Sequence, residues 1–462
     1  MTEMETRRKR TREQHLKELS YEVERKIRQG DANQLRMQFE DWEPYDLAVM
    51  FKELKEDVRS TYLELLDIEP LADAISELEP EAQIEALYML GKVRAAQVLN
   101  RMDNDDLADM MAEVPDEIQA YMLSIMEAKE RANVQELMTY GSETAGGIMT
   151  NRYVWFKESF TVRDAVEKVK QFAELTNDVQ YLYVVNEAKT LIGLLTYRDL
   201  VLASETEIVT NLMQEKVISV TAETDQEEVA HLFEKYDLVS LPVVDANGHL
   251  IGVVTFDDVL DVLREEANED INKLSATDKT IDFRTPAIVA ARRRLPWLIM
   301  LLFLGLVSGT IMSQFENTLS QVVALIFFMP MIAGMTGNTG TQSLAVVIRG
   351  LGSYRHLDGK TIANLMWREL RVGLMIGVTC GISIALIAGI WQGSFPLGLV
   401  VGFSLFLTII IGTMAGTVIP VVLYKLKLDP AVASGPLITT LNDIFSLTVY
   451  FGTATVFLQY LL

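Results

Sequence analysis

Over 462 residues the chain has one cysteine, Cys380, and four histidines, His15, His231, His249 and His356. One thiol excludes an internal disulfide, and its apolar neighbours make Cys380 a packing residue. The histidines are too scattered to form a zinc or copper set. No nucleophile, base and phosphate-loop constellation accompanies them, so an enzyme is not expected. Positive charge is also scarce: Lys+Arg total 41 against 64 for Asp+Glu, a net of −23 and a pI near 4.7. A body this acidic repels a phosphate backbone, which argues against nucleic acid as a partner. The stretch Met1 to Arg12 is charged and lacks the apolar run of a secretory signal, so the N-terminal part is expected in the cytoplasm. Its basic cluster, Arg7 to Arg10, reads as a solvated tail, with lipid headgroups as the alternative contact.

The same chain is 49% apolar with a mean hydropathy of +0.18. Those values conflict with a net of −23 in one uniform body, and dividing the chain at Arg294 removes the conflict. Residues 295–462 hold five acids and seven bases, a net of +2, which leaves −25 on residues 1–294. One part is an acidic soluble body and the other a membrane domain, with the bilayer itself as a partner.

Five stretches, roughly 295–313, 320–348, 370–391, 396–424 and 432–461, are long enough to cross a bilayer at about 20 residues each. Arg292 to Arg294 precede the first. Arg349, Arg355, Lys360, Arg368 and Arg371 follow the second, and Lys425 and Lys427 follow the fourth. The loops after the first and third carry no base. The positive-inside rule then puts the N-terminus inside and the C-terminus outside a cell (inner) membrane.

The second stretch contains Pro330 and the polar passage Gly334 to Gln342, an irregular backbone expected only against protein or a wet cavity. The fifth carries Ser434, Gly435, Pro436, Thr439, Thr440, Asn442 and Asp443. Ser434 and Thr439 alone suit close helix packing. Asp443 differs, because it falls about 17 Å inside its helix and no Lys, Arg or His lies at comparable depth. An intramembrane carboxylate is expensive, and one without a basic partner points to a visiting cation. Oxygen ligands with no thiol or imidazole favour a hard ion. One carboxylate with no cage suits Mg²⁺, which keeps its water, better than Ca²⁺; Mn²⁺ and Co²⁺ satisfy the same ligand types.

In the acidic part, Tyr183-Val184-Val185 with Leu191 to Asp199 recurs 59 residues later as Pro242-Val243-Val244 with Leu250 to Asp258. Each copy reads as a strand, a turn, a strand ending in Gly-x-x-Thr, and a helix opened by an acid. An amphipathic helix precedes each, near Val162–Phe172 and Gln226–Tyr236. This resembles a tandem pair of CBS domains, which commonly sense ligands, adenine nucleotides such as ATP among them. The resemblance makes Tyr181, Thr196, Arg198, Asp199, Thr255 and Asp258 candidate nucleotide contacts; for each Asp a helix N-cap is the competing reading. Residues 30–137 read as stacked short helices, introduced by Glu43-Pro44, Glu79-Pro80 and Asp103 to Asp106, where acid suits dipole and cap chemistry. Beyond the repeat, Asp258, Asp261 and Glu265 form one helical stripe with Glu266, Glu269 and Asp270 a turn further on. Like charges so placed repel, and a divalent cation relieves the repulsion.

Leu137-Met138, Tyr140, Thr144-Ala145-Gly146 and Met149-Thr150, the CBS pair, the Pro330 to Gln342 passage and Ser434-Gly435-Pro436 with Thr439 and Asp443 together resemble the MgtE family of bacterial magnesium channels. The resemblance implies a multidomain membrane protein. It would comprise a basic arm (1–29), an all-α helical-repeat N domain (30–137), two α/β CBS domains (138–205 and 206–264), a connecting plug helix (265–291) and a five-helix transmembrane domain (292–462). It implies a homodimer whose pore centres on Asp443 and is lined by Gly337, Asn338, Gly340, Gln342, Pro436, Thr439 and Asn442. It further implies closure when cytoplasmic Mg²⁺ bridges Asp258, Asp261, Glu266, Glu269 and Asp270, with Glu227, Asp237, Asp105, Asp106 and Asp109. Ser446 stands where the family often has glycine. The competing reading is a membrane-anchored CBS nucleotide sensor without transport.

Overall fold

The computed structural model describes residues 19–30, 32–39, 41–172, 181–277, 281, 285–353 and 358–461, and the cluster Arg7 to Arg10 falls outside them. The chain forms two compact units, Met1–Leu263 and Arg264–Leu462.

Among the described residues the first unit opens with helical backbone over 19–29 and continues with α1 (Ala32–Phe39), α2 (Pro44–Glu53), α3 (Glu56–Leu65), α4 (Ile68–Ser76), α5 (Pro80–Leu99), α6 (Asn104–Ala112), α7 (Asp116–Ile125) and α8 (Ala128–Leu137). α5 is broken at Gly91, where φ is 69° and ψ 165°, so every continuous run is too short to stand alone and stability comes from packing. Helices pack on those two places along the chain, α2 on α4, α3 on α5 and α6 on α8. The core is formed by Leu47, Met50, Phe51, Tyr62, Leu63 and Leu71, with the Tyr62 hydroxyl donating to the Leu47 carbonyl at 2.9 Å. Glu43, Glu79 and Asp103 occupy N-cap positions without any side-chain cap bond. Their charge suits the helix dipole, and the expected side-chain cap bonds are absent there.

Two three-stranded sheets follow. β1 (Trp155–Lys157) runs parallel to β2 (Tyr181–Val185), which is antiparallel to β3 (Leu191–Thr196). β4 (Val220–Thr221), β5 (Ser240–Val244) and β6 (Leu250–Thr255) repeat that order. Helices α9 (Val162–Phe172) and α11 (Gln226–Tyr236) precede the strand pairs, while α10 (Tyr197–Leu202) and α12 (Phe256–Leu274) follow them. The repeated glycine has a packing cause. A Cβ on Gly193 would sit 2.2 Å from Met213 Sδ, and one on Gly252 2.4 Å from Met149 Sδ. The two halves meet where the Tyr183 hydroxyl lies 2.7 Å from Ser240 Oγ.

Helix α12 runs unbroken out of the second CBS half and ends at Leu274, well short of residue 291. The second unit then continues with α13 (Ala287–Gln314), α14 (Glu316–Gln321), α15 (Ala324–Ser353), α16 (Gly359–Gln392), α17 (Phe395–Lys425), α18 (Gly435–Val456) and α19 (Leu458–Leu461). By length and composition, α13, α16 and α17 meet the requirement for crossing a membrane. Polar residues interrupt α15 and α18, which are 30 and 22 residues long.

One expectation is corrected here. The passage Gly334 to Gln342 is regular helix within α15, with Pro330 inside it. Unwinding is unnecessary because the hydroxyls of Thr336 and Thr339 donate to the carbonyls of Ile332 and Met335 one turn back. Helix α17 packs against both α15 and α16 through glycines. A Cβ on Gly416 would meet the Gly340 carbonyl oxygen at 2.1 Å, and one on Gly402 the Gly381 carbonyl oxygen at 2.5 Å. Small residues let these backbones approach closely.

Candidate cation sites

The first site lies along α15 and α18. A Cβ on Gly337 would meet Thr439 Cγ2 at 3.0 Å, and one on Gly340 would meet Asn442 Nδ2 at 2.0 Å. Absence of side chains at these two positions sets the polar passages of the two helices side by side. The buried Asn442 amide donates to the Thr336 carbonyl at 3.4 Å, and its Oδ1 has no hydrogen-bond partner. Asp443, the next residue, is half-buried roughly 12 Å along α18 from Gly435 at 1.5 Å per residue. Its carboxylate has no ion-pair partner among the described residues. Asn338 and Gln342, four residues apart on α15, are exposed, as is Pro436 at the start of α18. Ser446 is buried and turns its hydroxyl onto the carbonyl of Asp443 at 3.1 Å. It bonds within its own helix and leaves the carboxylate untouched.

The second site gathers acids from distant parts of the first unit. Asp105 and Asp106 open α6, and Asp257 and Asp258 open α12. Burial, reinforced by Asp258, Asp106 and Asp103, holds Asp105 well above the usual carboxylate range. Burial pushes Asp106 up to about 6, opposed by a hydrogen bond with Ser76 and reinforced by Asp103, Asp257 and Glu77. Burial likewise pushes Asp258 up to about 7, with Asp257 and Asp106 adding to the effect. Asp261 acts in the same direction on Glu77. Asp105 Oδ1 is buried without a hydrogen-bond partner. Among the described residues no three Asp, Glu, His or Cys side chains converge closely enough to hold a metal as they stand.

Arg152 supplies positive charge at the edge of the cluster, reaching Asp103 and Glu130 at 3.1 Å each. Sequence reasoning missed Arg152, Asp103, Asp257 and Glu77, since only the fold joins them. Of the other candidates, Asp109 is exposed a turn along α6. Glu227 and Asp237 are exposed at opposite ends of α11, Asp237 with left-handed backbone at φ 50°.

In the second unit, the end of α12 meets the segment before α18. Lys273 pairs with Glu269 on its own helix and with Asp429 at 2.5 Å. Leu274 packs against a cluster of Leu344, Ala433 and Ile438. Glu266 is half-buried and Asp270 exposed on the same helix.

At the nucleotide candidates, Tyr181 and Thr196 are cross-strand partners on β2 and β3, with Arg198 exposed beside them. The Asp199 carboxylate accepts from Thr196 N at 2.8 Å and Oγ1 at 2.6 Å, completing a capping box. Asp258 accepts from Thr255 N at 3.3 Å and from its hydroxyl. Both acids thus perform the capping reading.

A helical membrane unit whose mid-helix carboxylate has no ion-pair partner among the described residues, joined to an acidic part carrying a CBS pair, fits a transporter of a divalent cation. Comparison with known proteins agrees. A family model described as a divalent cation transporter matches residues 329–453, the MgtE intracellular N domain matches 42–143, and CBS domains match 145–206 and 209–265. The magnesium transporter MgtE of Bacillus subtilis is 54% identical over 433 residues, covering 94% of this chain and 96% of that one. The magnesium transporter MgtE of Thermus thermophilus is 37% identical over 447 residues, covering 96% and 99%. A crystal structure of the cytosolic domain of the Mg²⁺ channel MgtE in complex with ATP covers 53% of this chain and 99% of that chain. It has 38% identity and a TM-score of 0.50. The soluble part of a magnesium transporter covers 55% and 99%, with 30% identity and a TM-score of 0.52. The chain belongs to the MgtE family of divalent cation transporters, a family of transporters rather than enzymes.

Proposed function

We propose that the protein is a Mg²⁺ channel of the cell membrane, a homodimer with five crossings per subunit, an internal N-terminus and an external C-terminus. The observation that carries the reading is Asp443, a carboxylate without an ion-pair partner at the point where α18 and the polar face of α15 lie together. Two such carboxylates, one from each subunit, would recognise the water shell of a hydrated Mg²⁺ without stripping it. Asn338, Gln342, Pro436 and Thr439 would offer further oxygens to that shell.

Closure follows from the acidic cluster of the first unit. Asp105, Asp106 and Asp258 already repel one another, and the orphaned Asp105 Oδ1 suits a hard cation bound partly through water. Cytoplasmic Mg²⁺ would favour the arrangement that collects these carboxylates, and a ligand shifts an equilibrium by binding one state better. Asp261, Glu266, Glu269, Asp270, Asp109, Glu227 and Asp237 remain the proposed regulatory partners. ATP is proposed to occupy the face of Tyr181, Thr196, Arg198 and Thr255, by analogy with the solved relative.

Flux into proteoliposomes, read with an internal Mg²⁺ indicator, tests the pore. Asp443→Ala is expected to lower Mg²⁺ flux by about a hundredfold or more while the protein inserts and melts normally. Wild-type flux from that variant would sink the pore assignment. Absence of flux from the unaltered protein, together with ATP binding, would favour the sensor reading instead.

A further inference from the structure

Glu369 is 4% exposed, a carboxylate buried in α16 at the point where that helix turns apolar. Burying a carboxylate costs several kcal/mol unless its oxygens are satisfied. Here both are. Oε1 accepts from Nε and Nη2 of Arg368 at 3.1 and 2.9 Å, and Oε2 accepts from the Ser343 hydroxyl of α15 at 3.2 Å. The Arg368 side chain stays 56% exposed, so the pair is neutralised from the solvent side while the far oxygen reaches inward.

The location of the Ser343 bond gives it meaning. Below it, Val347 and Leu351 of α15, Ile362 of α16 and Val421 of α17 form one apolar seam, with Leu365 and Met366 packed alongside. One turn above it, at Gly340, α15 lies against Gly416 of α17 and turns its bare face to Asn442 of α18. Ser343 therefore carries a polar bond from α16 to α15 directly beside the passage that contains Asn338 and Gln342. An apolar seam tolerates helix rotation and sliding, because dispersion contacts are non-directional. A buried charge-assisted hydrogen bond does not.

We infer that Glu369 is a positioning residue for the cation path. Through Ser343 it fixes the rotation of α15, whose height the glycine contacts with α17 already set, and so the direction in which Asn338 and Gln342 face. It does not touch the ion. The assignment of α15 to the path rests on the transport reading above; the fixing of α15 does not.

Two arms of one experiment separate these. In full-length protein carrying Cys380→Ser, with Asn338→Cys or Gln342→Cys added, the rate of modification by a water-soluble thiol reagent reports where α15 faces. Adding Glu369→Ala or Ser343→Ala should change the ratio of the two rates by about threefold or more, in the same direction for both. Combining them should add nothing beyond Glu369→Ala alone, because they break one bond. Glu369→Gln, whose amide oxygen still accepts from Ser343, should restore the ratio. In the flux arm, Glu369→Ala should lower Mg²⁺ flux about tenfold and narrow the discrimination between Mg²⁺ and Mn²⁺, with Glu369→Gln close to the unaltered protein. Should Glu369→Ala fail to fold, Ser343→Ala, which removes a single hydroxyl, decides. An unchanged labelling ratio in Ser343→Ala overturns the inference. Altered labelling with no flux from any protein, the unaltered one included, leaves the positioning intact and sinks the transport reading.

Discussion

The acidic cluster of the first unit makes stability depend on pH in an unusual direction. Asp106 and Asp258 ionise near 6 and 7 in the folded protein, both above the ordinary carboxylate value of 3.8. The folded state therefore holds more protons than the unfolded chain between about pH 4 and pH 7, so stability falls as pH rises through that window. At about 1.4 kcal/mol per pH unit, Asp258 alone accounts for at most about 4 kcal/mol. The two acids interact, so their effects do not add. A loss of about 2–4 kcal/mol lowers the melting temperature of a unit this size by about 5–10 °C. Melting of the full chain, with hydrogen exchange of α6 and the first turn of α12 as the local reporter, should follow that course near pH 5 and pH 8 without divalent ions. Mg²⁺ competes with the protons, so its stabilising effect should be small near pH 5 and large near pH 8. Asp258→Asn should flatten both dependences. A melting temperature that rises with pH without divalent ions, or a Mg²⁺ effect equal at both pH values, would refute the reasoning.

Arg152→Ala should cost about 2 kcal/mol in thermal unfolding, because it leaves Glu130 and Asp103 without their guanidinium; by removing a positive charge beside the acids it should also lower the Mg²⁺ concentration needed to stabilise the cluster. Gly340→Ala should lower stability by about 1–3 kcal/mol, since its Cβ would strike Asn442. Gly334→Ala, with no heavy atom within 4 Å of its Cβ, should be neutral or slightly stabilising, and a melt of the two side by side checks the contrast.

Much of the fold was legible because it repeats. The two copies ending in Thr196 to Asp199 and Thr255 to Asp258 announce two like sheets, and the helices before them begin and end at Val162–Phe172 and Gln226–Tyr236 as the periodicity predicts. Asp443 was legible for the opposite reason, as a single charge where none belongs. The polar passage in α15 was visible, but its regular helix was not, because threonine back-bonding leaves no signature distinct from a break. Glu77 and Arg152 escaped notice, and Asp103 read only as an acid at a helix start, since their meaning comes from partners far along the chain. Glu369 entered only the count of five acids in residues 295–462, and its bond with Ser343 reveals that it points inward.

The glycine contacts on both faces of α17 bear on how the membrane unit can move. Where backbone lies against backbone, there is no layer of side chains to change rotamer and absorb a displacement. Helices α15, α17 and α16 are therefore geared together as one plate, and sliding any of them would drive a carbonyl into its neighbour. Helix α13 has no buried residue at all and makes its contacts with α18. Compliance is thus distributed unequally, and a rearrangement of this unit takes the form of a tilt between a stiff plate and a loosely held flank.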